Sequence, residues 1–152
     1  MDNAIKKRLL IQGYCAQDVN ENKNIIALSR WTPFFCAVLG IIGLFLQSYI
    51  YFLILGLLTL IGPFRPWSFY DYLYKYIFSS FLKWGEMPKH HLHRRIGCAI
   101  GAAIYLTSGV GFYLGNYYLA YLPSVLIITI AIAAGIFGWC FVTAVVNLFR
   151  DK

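Results

Sequence analysis

The feature that most constrains this chain is a stretch from Ile96 to Phe149 that contains no Lys, Arg, Asp or Glu. About 20 consecutive apolar residues of helix are enough to cross the hydrocarbon core of a bilayer. The stretch is therefore too long for one membrane-spanning helix and long enough for two. The whole chain of 152 residues is 12% charged, which is about half the charged fraction of an average soluble domain. These values predict an all-α membrane protein.

The middle of this stretch carries the signals of a turn between two helices. Gly115 and Asn116 readily adopt the left-handed conformation that ends a helix, and Pro123 favours the first turn of a following helix. The sequence therefore predicts a helical hairpin, with spans at about residues 96–114 and 122–149.

A second charge-free run extends from Trp31 to Phe64. As one helix it would be about 50 Å long, well beyond the thickness of the hydrocarbon core. Its internal polar cluster, at Gln47 and Ser48, predicts a turn instead. The result is a second hairpin with spans at about residues 31–48 and 50–63.

The segment from 67 to 84 differs from the spans because polar and aromatic residues both recur in it at helical spacing. This pattern predicts an amphipathic helix that lies in the membrane plane at the cytoplasmic face. The alternative is that the same helix packs on protein rather than on lipid. The polar stripe comprises Ser68, Asp71, Lys75, Ser79 and Lys83, and the apolar stripe comprises Tyr70, Leu73, Ile77, Phe81 and Trp84.

Basic residues flank the apolar runs and do not interrupt them. All 13 Lys and Arg residues lie in the regions 1–30, 65–95 and 150–152, and the two predicted turns have none. Positive residues mark the cytoplasmic side of membrane helices, so both termini and the middle segment are predicted to be cytoplasmic. Attraction to anionic lipid also explains the net charge of +7, and we expect no nucleic-acid partner.

The predicted organisation is a polar arm followed by one membrane domain. Residues 1–24 form the cytoplasmic arm, and residues 25–152 form four transmembrane helices, arranged as two hairpins, together with the interfacial helix. The side chains expected to contact lipid or its headgroups are Trp67, Tyr70, Lys75, Lys83, Trp84, Lys89, Arg94 and Arg95.

Small residues recur four positions apart in both of the C-terminal spans. Such pairs let helices approach closely, either within the monomer or between subunits. We prefer packing within the monomer. The pairs are Gly97 with Gly101, Gly111 with Gly115, Ala131 with Gly135, and Ala134 with Gly138.

Few residues offer chemistry, and none is predicted to be catalytic. His90, His91 and His93 are clustered, but their spacing matches no zinc pattern and the neighbouring Lys and Arg residues repel a cation. We therefore expect no metal site and no cofactor. Cys98 and Cys140 form a candidate thiol site. A working thiol would be exposed with a lowered pKa, whereas a structural thiol would resist alkylation.

The C-terminal span contains the segment FGWC at residues 137–140. It follows two short spans, an aromatic amphipathic segment and a basic entry to the third span. This order of elements, together with the FGWC segment, resembles a bacterial membrane family described as domain of unknown function 4395. The resemblance covers roughly residues 20–149. The family often has a second cysteine where this chain has Thr143. Its members often occur near sulfur-transfer proteins of the rhodanese type, so the resemblance implies a bacterial inner-membrane protein and hints at sulfur handling.

Two functional classes follow from these features. We prefer a non-catalytic membrane subunit or scaffold, whose partners are the lipid bilayer and either another membrane protein or a second copy of the chain. The alternative is a small permease or a thiol-dependent sulfur-handling protein that uses Cys98 and Cys140. The predicted spans contain no Asp, Glu, His, Lys or Arg, which disfavours ion-coupled transport.

Overall fold

The computed structural model describes residues 24–65, 67–83, 85 and 92–137, together with Lys7 and Leu10. Every regular element within these residues is helical, which confirms the predicted all-α class. The elements are α1 (Ile25–Leu46), α2 (Tyr49–Phe64), α3 (Phe69–Leu73), a π-helical turn (Tyr74–Phe78), α4 (Ser79–Leu82), α5 (Leu92–Tyr113) and α6 (Tyr117–Phe137). Most of the predicted arm, the region beyond 137 and the residues Trp84, Lys89, His90, His91, Gly138 and Cys140 lie outside the described residues.

Three of the described helices are long and apolar enough to cross a membrane. They comprise α1, residues 94–113 of α5 and residues 117–136 of α6. The count rises to four if α2 and the Phe69–Leu82 segment, whose axes differ by 92°, are taken as one broken span. At helical rise, the 16 residues of α2 alone extend about 24 Å, somewhat less than the hydrocarbon core.

The turn between α1 and α2 comprises only two residues. Gln47 adopts the left-handed conformation, with φ 47°, and its backbone N–H donates to the carbonyl of Gly43. The Ser48 hydroxyl then accepts from the backbone N–H of Tyr51 at 3.4 Å and caps α2. The polar pair inside the charge-free run thus ends one helix and begins the next.

The turn between α5 and α6 is built on Gly115, with φ +66°. The N–H of Asn116 donates to the Gly111 carbonyl, and the N–H of Gly115 donates to the Phe112 carbonyl, the pairing of a Schellman motif. The Asn116 side chain also accepts from the Leu119 N–H at 3.2 Å. Because Asn116 caps α6, this helix starts at Tyr117, five residues before the predicted start, and Pro123 lies inside it.

The four long helices do not pack as two separate hairpins. The largest contacts are between α2 and α5, then between α5 and α6 and between α6 and α1, whereas α1 and α2 touch only slightly. The α5–α6 pair therefore lies between the two helices of the first hairpin. A core of seven buried residues joins them, namely Ala37, Phe52, Leu55, Tyr105, Ile127, Ile128 and Ala131.

Glycines set how closely these helices approach. A Cβ atom at Gly56 would lie 3.1 Å from the backbone nitrogen of Leu106, and one at Gly109 would lie 3.2 Å from that of Leu53, so α2 and α5 are in near-backbone contact. A Cβ at Gly111 would overlap the backbone of α6 at Ala120. By contrast, a Cβ at Gly135 would meet no atom within 4 Å.

This contrast between two glycines predicts the effect of one added methyl group. We expect Gly111→Ala to lower the free energy of unfolding by about 1–3 kcal/mol, since the added carbon has backbone rather than a flexible side chain in its way. Gly135→Ala is the matched control and should keep wild-type stability or exceed it, because alanine is the better helix former. Unfolding of both variants in mild detergent measures the difference. Equal stability of the two variants would show that α5 and α6 are not in close contact.

Candidate functional site

A buried carboxylate lies where three helices meet. The Asp71 side chain in α3 is fully buried, and one of its oxygens accepts from the backbone N–H of Ser68 at 2.9 Å and from the Ser68 hydroxyl at 2.8 Å. Its other oxygen accepts from the Thr32 hydroxyl of α1 at 2.8 Å. The carboxylate thus connects the start of α3 to α1.

Arg94 of α5 balances the charge of this carboxylate. Its Nη2 atom donates to the Thr32 hydroxyl oxygen at 2.7 Å and lies 3.8 Å from an oxygen of Asp71. Thr32 therefore bridges the two charges, since it donates to Asp71 and accepts from Arg94. We call Thr32, Ser68, Asp71 and Arg94 the polar clamp. An isolated ionised carboxylate would be costly to bury, and these partners offset that cost.

The local sequence explains the orientation of Asp71. Ser68 is the N-cap of α3 and Asp71 is its third residue, and their side chains and backbone N–H groups bond reciprocally in a capping box. The predicted polar stripe placed both residues on the outer face of an interfacial helix. The structure differs, because the capping box turns the carboxylate toward α1, where Thr32 and Arg94 can reach it.

Tyr70 also faces the interior of the bundle. It was predicted to contact lipid headgroups, but it is 1% exposed, and its hydroxyl lies 2.9 Å from the Thr59 hydroxyl of α2. Thr59 donates its own proton to the Leu55 carbonyl at 2.7 Å, so Tyr70 is the donor between the two hydroxyls.

An aromatic cluster beside the polar clamp adds apolar contact between α1 and the Phe69–Leu82 segment, which we call the bent segment. The indole N–H of Trp31 donates to the Tyr70 carbonyl at 2.9 Å. The Trp31 ring lies 4.2 Å from that of Phe35 and makes edge contacts with Tyr74 and Phe78 at 5.3 and 5.0 Å between centroids. The π-helical turn thus packs on α1 through Tyr74 and Phe78.

Two cysteines lie inside the bundle, and one of them, Cys36, contacts a tyrosine hydroxyl. Tyr105 donates to the Cys36 carbonyl at 2.8 Å, so the Cys36 thiol is the donor in its 3.1 Å contact with the Tyr105 oxygen. Cys98 is buried, and a Cβ at Gly62 would lie 2.9 Å from its sulfur. Sequence reasoning named Cys98 but missed Cys36, since only the packing of α1 on α5 brings Cys36 to a phenol.

The remaining predicted contact residues fall in different environments. Lys75 is exposed, with its ammonium 4.8 Å from the centroid of the Trp67 ring, and Lys83 is exposed at the end of α4. Arg94 belongs to the polar clamp, and the neighbouring Arg95 is half-buried.

The predicted helix-packing residues also differ among themselves. Ala131 belongs to the core. Gly101 is buried, and a Cβ atom at this position would lie 3.9 Å from side-chain carbons of Ile127 and Thr59. Gly97 and Ala134 are half-buried. Gly111 is in close contact with α6, Gly115 forms the turn, and Gly135 faces open space.

The polar clamp predicts a specific pattern of stability. Asp71→Asn keeps the shape of the side chain and leaves Arg94 without its counter-charge, so we expect a loss of about 3 kcal/mol, at the lower end of the range for breaking a buried ion pair. Adding Arg94→Gln should restore part of that loss. Lys75→Gln, at an exposed cation nearby, should change little. Unfolding in detergent checks these variants together with the Arg94→Gln single variant, and a double variant as unstable as the sum of the two single variants would contradict a shared interaction.

The described residues show no group of three or more His, Cys, Asp or Glu side chains that could hold a metal ion. What the site offers chemically is charge balance and hydrogen bonding, which fix the bent segment against α1 and α5.

Comparison with known protein families gives one match. The family model described as domain of unknown function (DUF4395) matches residues 27–150. This chain belongs to that family. The match covers α1 through α6 almost completely, so the polar clamp, Cys36 and Cys98 all lie within the DUF4395 domain. Comparisons with curated proteins and with solved structures give no match.

Proposed function

We propose that this DUF4395 protein is a multi-pass membrane protein that acts as a non-catalytic subunit or scaffold. The observation that carries the proposal is the outward face of the long helices. Large apolar side chains are exposed along α1, α2, α5 and α6, as expected where lipid rather than water surrounds a helix bundle. Exposed apolar surface on this scale is also the usual mark of a protein or membrane contact.

The bent segment supplies the second part of this role. Its inner side is fixed by the polar clamp and the aromatic cluster, while Tyr76, Ile77 and Phe81 are exposed on its outer side, Phe81 by 83%. Lys75 lies beside them over the Trp67 ring. Aromatic and apolar side chains next to a cation suit the boundary between headgroups and acyl chains. We infer that this outer side contacts the bilayer surface or a membrane-protein partner there.

The sulfur-handling alternative has less support. A nucleophilic thiol needs access and stabilisation of its thiolate. Cys36 instead donates its proton to Tyr105, and Cys98 is packed closely against Gly62. Both arrangements favour a neutral, structural thiol. Cys140, the other candidate, lies outside the described residues.

The topology of the chain tests the proposal most simply. Reporter tags at residue 2, within residues 86–92 and at the C-terminus should all report the cytoplasm, because every Lys and Arg lies in the regions 1–30, 65–95 and 150–152. A tag beside Asn116 should report the opposite side. Carbonate extraction of the untagged protein is the control and should leave the protein in the membrane fraction. A periplasmic middle loop, or release by carbonate, would contradict a four-span membrane subunit.

A further inference from the structure

A groove of about 850 Å³ runs between α1 and the C-terminal part of α6. The walls are apolar and come from residues such as Phe34 and Ile41 on α1 and Ile136 on α6. Gly135 also lines the groove, and no atom lies within 4 Å of the position that a Cβ atom would take there. This volume is in the range of sites that hold small organic ligands.

The polar groups of the groove are not spread along it. Arg30 lines it, together with Asn24, at the N-terminal end of α1, and the α1 residues that follow toward Ile41 are apolar. Arg30 is exposed and lies just before the charge-free run that begins at Trp31. The groove therefore has a cationic end where α1 would meet lipid headgroups and an apolar body where α1 would cross acyl chains.

The length of the groove distinguishes between possible occupants. The groove follows α1 from Asn24 to Ile41, and the part beyond Arg30 rises about 16 Å. Half of the hydrocarbon core is about 15 Å, so this apolar part is as deep as one leaflet. A membrane-spanning helix of a partner would need an apolar surface about twice as long as this part. One phospholipid molecule, with its phosphate at the cation and a chain along the groove, matches both the length and the charge.

We propose that this groove is a binding site for an anionic phospholipid, with Arg30 as the residue that selects the headgroup and Gly135 as the residue that leaves room for the acyl chain. The proposal rests on the proposed membrane location. Arg30 pairs with the lipid phosphate through a charge-assisted hydrogen bond, and the walls of the groove hold the chain by apolar contact. A zwitterionic lipid of the same chain length fits the groove but lacks the net negative charge.

Native mass spectrometry of the purified full chain in mild detergent tests this site. Phosphatidylglycerol and phosphatidylcholine with identical chains are titrated separately. We expect wild type to prefer phosphatidylglycerol, and Arg30→Gln to weaken phosphatidylglycerol binding about fivefold and phosphatidylcholine binding less, because the choline cation offsets the phosphate charge of phosphatidylcholine. Gly135→Leu should weaken the binding of both lipids, because the leucine side chain would extend into the open space at this position.

Two matched variants control for general effects. Arg65→Gln removes an exposed cation at the end of α2, and Ala103→Leu enlarges an exposed side chain on α5, so neither alters the groove. Both should bind lipid like wild type. If Arg30→Gln and Arg65→Gln weakened phosphatidylglycerol binding equally, the lipid would be bound by unspecific charge attraction, and the proposed site would be refuted. Conversion of a dimer to a monomer by Gly135→Leu, with lipid binding unchanged, would overturn it in favour of a second copy of the chain.

The same preparations separate this proposal from the broader one. A wild-type protein that resists carbonate extraction yet binds the two lipids equally refutes the lipid site and leaves the membrane role standing. A protein that carbonate releases refutes both.

Discussion

The burial of one carboxylate is the constraint on which the rest of the structure depends. Asp71 lies in an interior made largely of aromatic and aliphatic side chains, where an ionised group without partners would not be tolerated. Its partners come from three places in the chain, with Ser68 beside it, Thr32 on α1 and Arg94 on α5. When the bent segment folds back onto these helices, the buried Asp71 gains these partners, so charge balance favours this arrangement over one that buries the carboxylate without Arg94.

The consequences of that contact reach the surface. With the inner side of the bent segment fixed, its remaining aromatic side chains, Tyr76 and Phe81, must face outward. The same folding buries Tyr70 between α1 and α2, which otherwise touch only slightly, and the hydroxyl of Tyr70 reaches Thr59 across that gap. The polar clamp therefore holds the bent segment against the bundle and determines which of its side chains are exposed. We propose that these exposed side chains contact lipid or a partner.

Sequence reasoning was accurate where local signals decide the structure. Gln47 and Gly115 are turn residues because of their own backbone conformations, and the chain reverses at both. It did not predict that Tyr70 and Asp71, at the start of the bent segment, face inward, because an amphipathic pattern shows that two stripes exist but not which of their residues find partners. That choice depended on Arg94, which is remote in sequence from Asp71 and had been assigned to headgroups. The role of Cys36 was missed for the same reason, since Tyr105 reaches it only through packing.

The central claim is that the polar clamp holds the bent segment onto the bundle, and hydrogen–deuterium exchange in lipid nanodiscs tests it most directly. Thr32→Val removes the bridging hydroxyl while nearly conserving the shape of the side chain. We predict faster exchange of the amides in Phe69–Leu73 in this variant, with exchange in Tyr117–Phe137 unchanged, because the lost hydrogen bonds join α1 to Asp71 of α3 and to Arg94 of α5 and neither involves α6. Unchanged exchange in Phe69–Leu73, or an equal acceleration in all helices, would contradict the claim.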